Sequence, residues 1–201
     1  MAIFLVMNAE NSTHKHFKLY KPDGYLSQFI NNSKKRRNKK LLGELYNFPE
    51  GTMSIGRLDE MSEGLLLLTT DGKVSAAVTS SKYEKEYIVQ VSGDITEGAI
   101  NEMRNGLTIP INGKQYDTKP CTAFKLNKTP QFPERQKAIR SSRHGETSWL
   151  SISIREGKFR QVRKMTAKVG FPTLRLVRIR IGNYHLDDMQ PGQVAPINIS
   201  Q

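Results

Sequence analysis

The stretch that decides the fold lies at residues 56–72 and reads GRLDEMSEGLLLLTTDG. Four consecutive leucines, at residues 65–68, stand between segments that contain glycine. An apolar run of this length bounded by turn residues indicates a strand that is buried on both faces of a sheet. Just before the run, Arg57 and Asp59 occupy a turn. The sequence therefore predicts that a charged turn lies next to the centre of the fold.

Other segments carry strand and helix patterns in an irregular order. Residues 85–91 (KEYIVQV) and 149–155 (WLSISIR) place apolar side chains at alternate positions, which predicts two strands. Residues 158–170 (KFRQVRKMTAKVG) carry apolar side chains at helical spacing. Further strands are predicted at residues 18–22, 52–55 and 174–181 and in a hairpin around Asn112 and Gly113, and further helices at residues 41–48 and 96–105. This order predicts an α+β fold with a mixed, largely antiparallel sheet flanked by helices and loops.

The charge of the chain points to a polyanionic partner. There are 31 lysine and arginine residues against 19 acidic residues, which gives a formal net charge of +12. Membrane binding would call for a basic amphipathic helix or an apolar span of roughly 18 residues, and neither is visible in the sequence. Nucleic acid is therefore favoured over a membrane surface.

The N-terminus and the cysteine content indicate the compartment. The apolar patch in MAIFLVMNAENS (residues 1–12) lacks the positive region and the cleavage site of a signal peptide, and it is typical of a first strand. The single cysteine, Cys121, cannot form an internal disulfide or a cysteine-based zinc cluster. We therefore expect a cytoplasmic protein, and we expect no bound metal.

A chain of 201 residues suits one domain, which we expect to span residues 1–201. Residues 1–55 form at most a small N-terminal subdomain within it. The basic run NNSKKRRNKK at residues 31–40 has no apolar anchor, which predicts a loop. A solvated linker and an arm that faces nucleic acid fit this loop equally well.

Residue types alone allow two interpretations of the turn that contains Asp59. A turn aspartate most often accepts hydrogen bonds from nearby backbone N–H groups, and Arg57 is then an ordinary surface cation. A pair of carboxylates, with Glu60 or Glu63 as the second, would suit a glycoside hydrolase.

Four segments, in the same order along the chain, resemble the motifs of one enzyme family. Residues 56–72 resemble the second motif of the pseudouridine synthases that modify ribosomal RNA, and LYKPDGYLSQF (residues 19–29) resembles the first. KEYIVQVSG (residues 85–93) resembles the strand with an aromatic site residue, and REGKFRQVRKMTAKVGFPTLRLVRIRIGNY (residues 155–184) resembles the third motif and its following strand. The pattern is similar to the branch named for the small-subunit synthase, and most similar to a large-subunit type without an N-terminal RNA-binding module.

The resemblance implies the pseudouridine synthase fold, with an active-site cleft across the sheet. It also implies that a uridine in RNA is converted to pseudouridine: the base is detached from ribose carbon 1, rotated, and rejoined through uracil carbon 5, without a cofactor or a metal. Asp59 matches the catalytic aspartate, and Arg163, with Arg160 in reserve, is its expected partner cation. Arg57 matches the residue that fills the space left by the flipped base. Tyr87 matches the aromatic residue that packs against uracil, and a half-buried strand tyrosine without a role in the site is the alternative interpretation.

The resemblance also implies contacts with RNA. The residues expected to bind RNA are Arg57, Lys158, Arg160 and Arg178, and basic residues along 34–40, 135–143 and 158–168 are expected to neutralise its phosphates. A cationic strand that prevents aggregation is an alternative explanation for the arginines at residues 174–181. The expected partner is ribosomal RNA, bound by a monomer that needs no membrane and no small-molecule cofactor. Two other functions stay open: a noncatalytic RNA-binding or ribosome-assembly protein, and a nucleoside or glycoside hydrolase.

Overall fold

The computed structural model describes residues 14–31, 38–79, 83–139 and 145–199. The strands are β1 (His16–Lys21), β2 (Met53–Ile55), β3 (Glu63–Thr69), β4 (Lys85–Ser92), β5 (Thr108–Ile111), β6 (Lys114–Asp117), β7 (Thr122–Lys125), β8 (Thr147–Ile154), β9 (Thr173–Ile181), β10 (Tyr184–His185) and β11 (Val194–Pro196). The helices are α1 (Gly72–Thr79), α2 (Glu97–Asn105) and α3 (Gln161–Lys168), with a 3-10 helix at Leu42–Glu44. The strand predicted at residues 1–12 and the basic residues 34–37 and 140–143 lie outside the described residues.

Nine of the described strands form one mixed sheet. Its order is β11-β1-β3-β9-β4-β8-β7, with β2 paired to β3 and β10 paired to β9. Strands β3 and β9 run parallel, and the other pairs are antiparallel. Strands β5 and β6 form a separate hairpin, whose turn residues Asn112 and Gly113 both have positive φ. The predictions of a mixed, largely antiparallel sheet with flanking helices and of this hairpin are confirmed.

Strand β3 lies in the middle of the sheet and is buried along its whole length. Leu65 and Leu67 pack on one face, in a core that includes Val74 and Val78 of α1. Leu66 and Leu68 pack on the other face, in a second core. A third core fills the space around β4, β8, α2 and α3. The prediction of a strand buried on both faces is therefore confirmed, and the turn before β3 lies at the centre of the fold.

The helix predicted at residues 41–48 is wrong in extent. One 3-10 helix, Leu42–Glu44, is present, and the chain beyond it is not helical. Phe48 packs edge-on against the rings of Phe17 and Phe29, with centroid distances of 5.7 and 5.3 Å. These contacts join residues distant in sequence, so tertiary packing overrides the local helical pattern at this place.

Helix α3 begins later than its sequence pattern predicts. The predicted helix started at residue 158, whereas α3 starts at Gln161, because Arg160 has a left-handed conformation with φ of 54°. A left-handed residue interrupts a right-handed helix. Val162 and Met165 are buried, as predicted. Residues 157–160 therefore form a turn that leads into α3.

Helix α1 is an element that the sequence analysis missed. Asp71 begins it by accepting a hydrogen bond from the Lys73 backbone N–H at 2.7 Å. Val74 and Val78, four residues apart, are its buried contacts. An aspartate followed by two valines at this spacing was the available signal. No helix in the described part of the chain has the length and apolar character that crossing a membrane requires.

Candidate active site

The turn that carries Asp59 is fixed by hydrogen bonds at both of its ends. Within the turn, the Ser62 N–H donates to the Asp59 carbonyl at 2.9 Å. Before it, the Ser27 hydroxyl donates to the Leu58 carbonyl at 2.8 Å and accepts from the Leu58 N–H at 3.0 Å. The Leu58 side chain is buried in the core that also contains Tyr87. The chain therefore has little freedom on either side of the Asp59 carboxylate.

The end of β1 and the segment after it also form hydrogen bonds with this turn. The Gly24 N–H donates to the Glu60 carbonyl at 2.8 Å. The Lys21 ammonium donates to the carbonyls of Pro22 and Glu60 at 2.8 and 3.3 Å. Residues 21–27 belong to the first predicted motif. Their hydrogen bonds therefore hold the turn of the second motif in place.

Two arginines approach the Asp59 carboxylate. Arg160 Nη1 lies 3.5 Å from Asp59 Oδ2, and Arg163 Nε lies 3.7 Å from the same oxygen. Both distances are long for charge-assisted hydrogen bonds. The Asp59 side chain is 22% exposed, so its carboxylate is accessible to a ligand beside two positive charges.

Arg163 makes its closest contacts with the backbone and side chain of the turn. Its Nη2 donates to the Met61 carbonyl at 3.2 Å and to the Ser62 hydroxyl at 3.1 Å. Burial, followed by the charge of Arg160, lowers the pKa of the Arg163 guanidinium. Arg163 therefore anchors the turn as well as facing Asp59. Ser62 was not predicted to be part of this arrangement, because nothing local marks a serine as the partner of an arginine 101 residues away.

A buried network of charges lies behind the turn. Glu63 pairs with Arg175, whose Nε and Nη2 donate to its two carboxylate oxygens at 3.1 and 2.8 Å. Arg135 Nε lies 2.8 Å from Glu63 Oε2, an ion pair without hydrogen-bond alignment, and Arg135 Nη2 lies 3.6 Å from Asp23. Arg135 also donates to the Met61 carbonyl at 3.2 Å, so the network contacts the turn directly.

The Lys21 ammonium is buried beside this network. Two carboxylates, Asp23 and Glu63, face two guanidiniums, Arg135 and Arg175, so their charges balance without Lys21. Burial is the main cause that lowers the pKa of Lys21 to about 7, and the neighbouring carboxylates oppose this effect.

Glu63 is paired on both oxygens and does not line the cavity described next, so it is not placed to act as a second carboxylate for glycoside hydrolysis.

A cavity of about 220 Å³ opens beside Asp59, where two of the cores meet. Its apolar walls include Tyr87, Ile154 and Val162. The charged side chains that line it are Asp59, Arg57, Lys85, Lys158, Arg160 and Arg178. Among the described lining residues, one carboxylate therefore faces five cations. Such a cavity suits an apolar ring that carries, or is attached to, negatively charged groups.

The predicted site residues lie in three places: in the wall of this cavity, at its edge, and behind the turn that carries Asp59. Tyr87 is buried in its wall, and Arg178, its partner in the neighbouring strand β9, is buried beside it. Arg57 and Lys158 are exposed at the edge. Arg163 is absent from the described lining residues and reaches Asp59 from behind the turn.

The turn at residues 157–160 is held by contacts with the β5–β6 hairpin. Glu156 accepts hydrogen bonds from the Tyr116 hydroxyl and from Gln161 Nε2, each at 2.5 Å. The hydrogen bond to Glu156 is the first cause that raises the pKa of Tyr116 to about 12. Lys158 lies over the Tyr116 ring, 4.8 Å from its centroid. The hairpin therefore helps to position the cations that precede α3.

The other arginines of β9 differ from Arg178 in their surroundings. Arg175 is buried in the ion pairs with Glu63 described above. Arg180 pairs with Glu84 at 2.7 Å and with Glu86 at 2.9 Å, outside the cavity. Within the ranges that the structure covers, no group of three or more histidine, cysteine or acidic side chains is arranged to hold a metal ion.

Comparison with known proteins agrees with this geometry. The family model described as RNA pseudouridylate synthase matches residues 15–168, most of the chain. The chain belongs to the RNA pseudouridylate synthase family. It is thus an RNA pseudouridine synthase, an isomerase, as its motifs predicted.

Individual relatives support the same assignment. The chain is 40% identical over 177 residues to ribosomal large subunit pseudouridine synthase E of Xanthomonas campestris pv. campestris, covering 87% of this chain and 91% of the relative. It is 40% identical over 181 residues to the synthase E of Vibrio vulnificus, covering 89% of this chain and 73% of the relative. A crystal structure of a pseudouridylate synthase matches with a TM-score of 0.72 and 26% identity, covering 92% of this synthase and 70% of that chain.

Proposed function

We propose that this synthase isomerises a specific uridine of ribosomal RNA, in the large subunit, with Asp59 as the carboxylate that acts at the ribose. The 40% identical relatives carry names of large-subunit enzymes, which supports the choice of RNA. The site argues for the choice of residue, because Asp59 is the accessible carboxylate among the described lining residues and lies 3.5 Å from Arg160.

The reaction requires that the target base leaves the RNA stack. Flipping a base out costs roughly a few kcal/mol, and a side chain that occupies the vacated space offsets this cost. Arg57 is exposed two residues before Asp59, so it is placed to enter the RNA while the base enters the cavity. Exposed Lys158 and half-exposed Arg160 then face the phosphates beside the flipped nucleotide.

Inside the cavity, the detached base has to be retained while it turns. Tyr87, Ile154 and Val162 supply apolar walls against which a flat ring packs. Asp59 is held at a fixed position by the contacts of its turn, so it meets ribose carbon 1 or a ribose proton without a large rearrangement. Arg160 and Arg163 lie 3.5 and 3.7 Å from the Asp59 carboxylate, beside the place where the ribose would react.

The observation that carries the proposal is the placement of Asp59 at a cavity with five cations. Its test is tritium release from large-subunit ribosomal RNA that is labelled at uracil carbon 5. The wild type releases tritium, and Asp59→Asn releases none. Asp94→Asn is a matched control, because Asp94 is an exposed carboxylate paired with Lys125 and lies outside the cavity lining.

The alternatives are separated when RNA binding, free uracil and pseudouridine in the RNA are measured alongside tritium release. A wild type that binds ribosomal RNA but releases no tritium from it would favour a noncatalytic RNA-binding or ribosome-assembly protein. Free uracil without pseudouridine in the RNA would favour a nucleoside hydrolase. We also propose a cytoplasmic enzyme, because its partner is ribosomal RNA, and a monomer, because residues of one chain line the described cavity.

A further inference from the structure

Arg178 is a buried cation inside the cavity and not a surface residue. It is 4% exposed, it lines the cavity, and it lies opposite Tyr87 in the pairing of β4 with β9. Directly opposed residues of antiparallel strands carry their side chains on the same face of the sheet. The guanidinium therefore lies beside the tyrosine that forms the wall of the base pocket.

The guanidinium of Arg178 has unused hydrogen-bonding capacity. Its Nε donates to the Leu65 carbonyl at 2.8 Å, which fixes the orientation of the group. Its Nη2 is buried without a hydrogen-bond partner among the described residues. A buried donor that lacks an acceptor is costly, so a ligand that brings an acceptor to this place is favoured. After burial itself, the charge of Arg178 is the second cause that lowers the pKa of nearby Lys85.

We propose that Arg178 selects uracil by donating a hydrogen bond to the carbonyl at ring position 4 of the flipped base. This proposal rests on the function proposed above. An arginine side chain has donors and no acceptor. Uracil presents a carbonyl oxygen at position 4, whereas cytosine presents an amino group there, which cannot accept from arginine. Arg178 therefore favours binding of uracil over binding of cytosine.

The symmetry of uracil makes the same contact useful after the base has turned. Rejoining through carbon 5 requires a half-turn of the ring about the line through N3 and C6. This half-turn exchanges N1 with C5 and also exchanges the carbonyls at positions 2 and 4. A donor that meets one carbonyl in the substrate thus meets the other carbonyl in the product. Arg178 can hold the ring in both orientations without moving, which would limit escape of the detached base.

Depth argues against a phosphate at Arg178. The exposed cations Arg57 and Lys158 are at the edge of the cavity, where a nucleic-acid backbone would pass. Arg178 is buried beside Tyr87, among the apolar walls. A phosphate at this depth would be separated from water, whereas a carbonyl oxygen of a neutral ring carries a much smaller cost of desolvation. The chemistry of the pocket therefore matches the edge of a pyrimidine.

The test compares the binding of three nucleotides by titration with saturation-transfer NMR: uridine, pseudouridine and cytidine 5′-monophosphates. The wild type is expected to bind the uridine and pseudouridine nucleotides at least about tenfold more tightly than the cytidine nucleotide. Arg178→Met is expected to reduce this preference to less than about twofold, because the donor is removed while an unbranched side chain of similar length remains. Arg180→Met, two residues along the same strand and outside the cavity, should keep the wild-type preference.

Several outcomes would overturn the assignment. Equal binding of all three nucleotides by the wild type, or no binding of any, contradicts it. An equal loss of affinity for all three in Arg178→Met would show that the residue holds the phosphate. If Arg178→Met does not fold by circular dichroism, Arg178→Lys replaces it, and it should keep at least part of the preference because lysine is also a donor without an acceptor.

The result is separate from the test of the proposed function. Tritium release in a wild type that does not distinguish uridine from cytidine nucleotides would leave the function intact and remove the role of Arg178. A clear preference that depends on Arg178, in a protein that forms no pseudouridine, would do the reverse.

Discussion

Gly64 of β3 lies opposite Arg178 of β9, and the two backbones touch. A Cβ atom at Gly64 would lie 2.3 Å from the Arg178 carbonyl oxygen and 2.8 Å from its backbone nitrogen. Gly64 also has φ of 99°, which side chains other than glycine rarely adopt. The parallel pairing that brings the Asp59 turn beside Arg178 therefore depends on the absence of a side chain at this position.

Gly64→Ala is expected to lower the free energy of unfolding by at least about 2 kcal/mol, because the methyl group collides with backbone that cannot move aside easily. Chemical denaturation measures this change. Gly72→Ala is the matched control from the end of the same motif, since a Cβ there meets nothing within 4 Å. A Gly64→Ala protein as stable as the wild type would show that β3 and β9 can separate without loss.

The two arginines that approach Asp59 are expected to respond differently to substitution. Arg163→Met should lower both the melting temperature and tritium release, because Arg163 anchors the Met61 carbonyl and the Ser62 hydroxyl from a buried position. Arg160→Met should lower release by about tenfold or more, with a change in stability within about 0.5 kcal/mol, because its side chain is 43% exposed. Equal melting temperatures of the two variants would contradict this division of roles.

Arg135 is expected to stabilise the site from behind. Arg135→Ala leaves Asp23 and Glu63 buried with one cation fewer, and it removes a donor to the Met61 carbonyl. We expect a loss of roughly 2 kcal/mol in the free energy of unfolding, less than for a fully broken pair because Arg175 still holds Glu63. Turnover should fall more than substrate affinity, since the turn and not the RNA surface is loosened.

The control for Arg135 is Arg155→Ala. Arg155 lies 3.8 Å from Glu84, and its side chain is 63% exposed, so its removal should change stability by less than about 0.5 kcal/mol. Urea denaturation of the two variants side by side makes the comparison. A similar effect of both would mean that the buried network contributes no more than a surface pair.

The lowered pKa of Lys21 predicts that the free energy of unfolding depends on pH in an unusual way. Its pKa is about 7 in the folded protein, below the value of 10.5 for a free side chain. Above pH 7 the unfolded chain therefore binds the proton more readily, so stability should rise with pH, by at most about 1.4 kcal/mol per pH unit. The informative window is pH 7 to 8.5, below the ordinary pKa of tyrosine and of Cys121.

Lys21→Met should abolish this rise, whatever its effect on stability at pH 7. The measurement is the free energy of unfolding from urea titrations at several pH values. Lys39→Met is a suitable control, because Lys39 pairs with Glu60 on the same turn with a side chain that is 31% exposed. A slope that persists in Lys21→Met would assign the proton to another group.

The sequence predicted the elements that have strong local periodicity. Strands β3, β4 and β8 follow from uninterrupted or alternating apolar residues, and α2 follows from Thr96, which accepts a hydrogen bond from the Ala99 N–H at 3.2 Å. Weak local signals failed: α1 has only two buried valines, and the aromatic contacts of Phe48 replaced a predicted helix.

Contacts between distant residues could not be predicted from the sequence. Asp59, Tyr87 and Arg163 were identified as site residues because they lie in recognisable motifs. The role of Ser27 was not identified, because a serine after a turn has no local feature that distinguishes it from other surface residues. Arg135 was expected to bind phosphate with the basic residues at 135–143, and this was wrong: its side chain is 6% exposed and lies beside Asp23 and Glu63. Their roles arise only when the sheet brings distant segments within hydrogen-bond distance of one turn.

The lining of the cavity extends from Ile55 to Ile181, and β9 forms part of it close to the end of the chain. During synthesis on the ribosome, the nascent polypeptide thus has no complete base pocket until residue 181 has emerged from the exit tunnel. Translation past residue 181 must precede the first turnover, so a product that terminates before the end of β9 lacks part of the cavity.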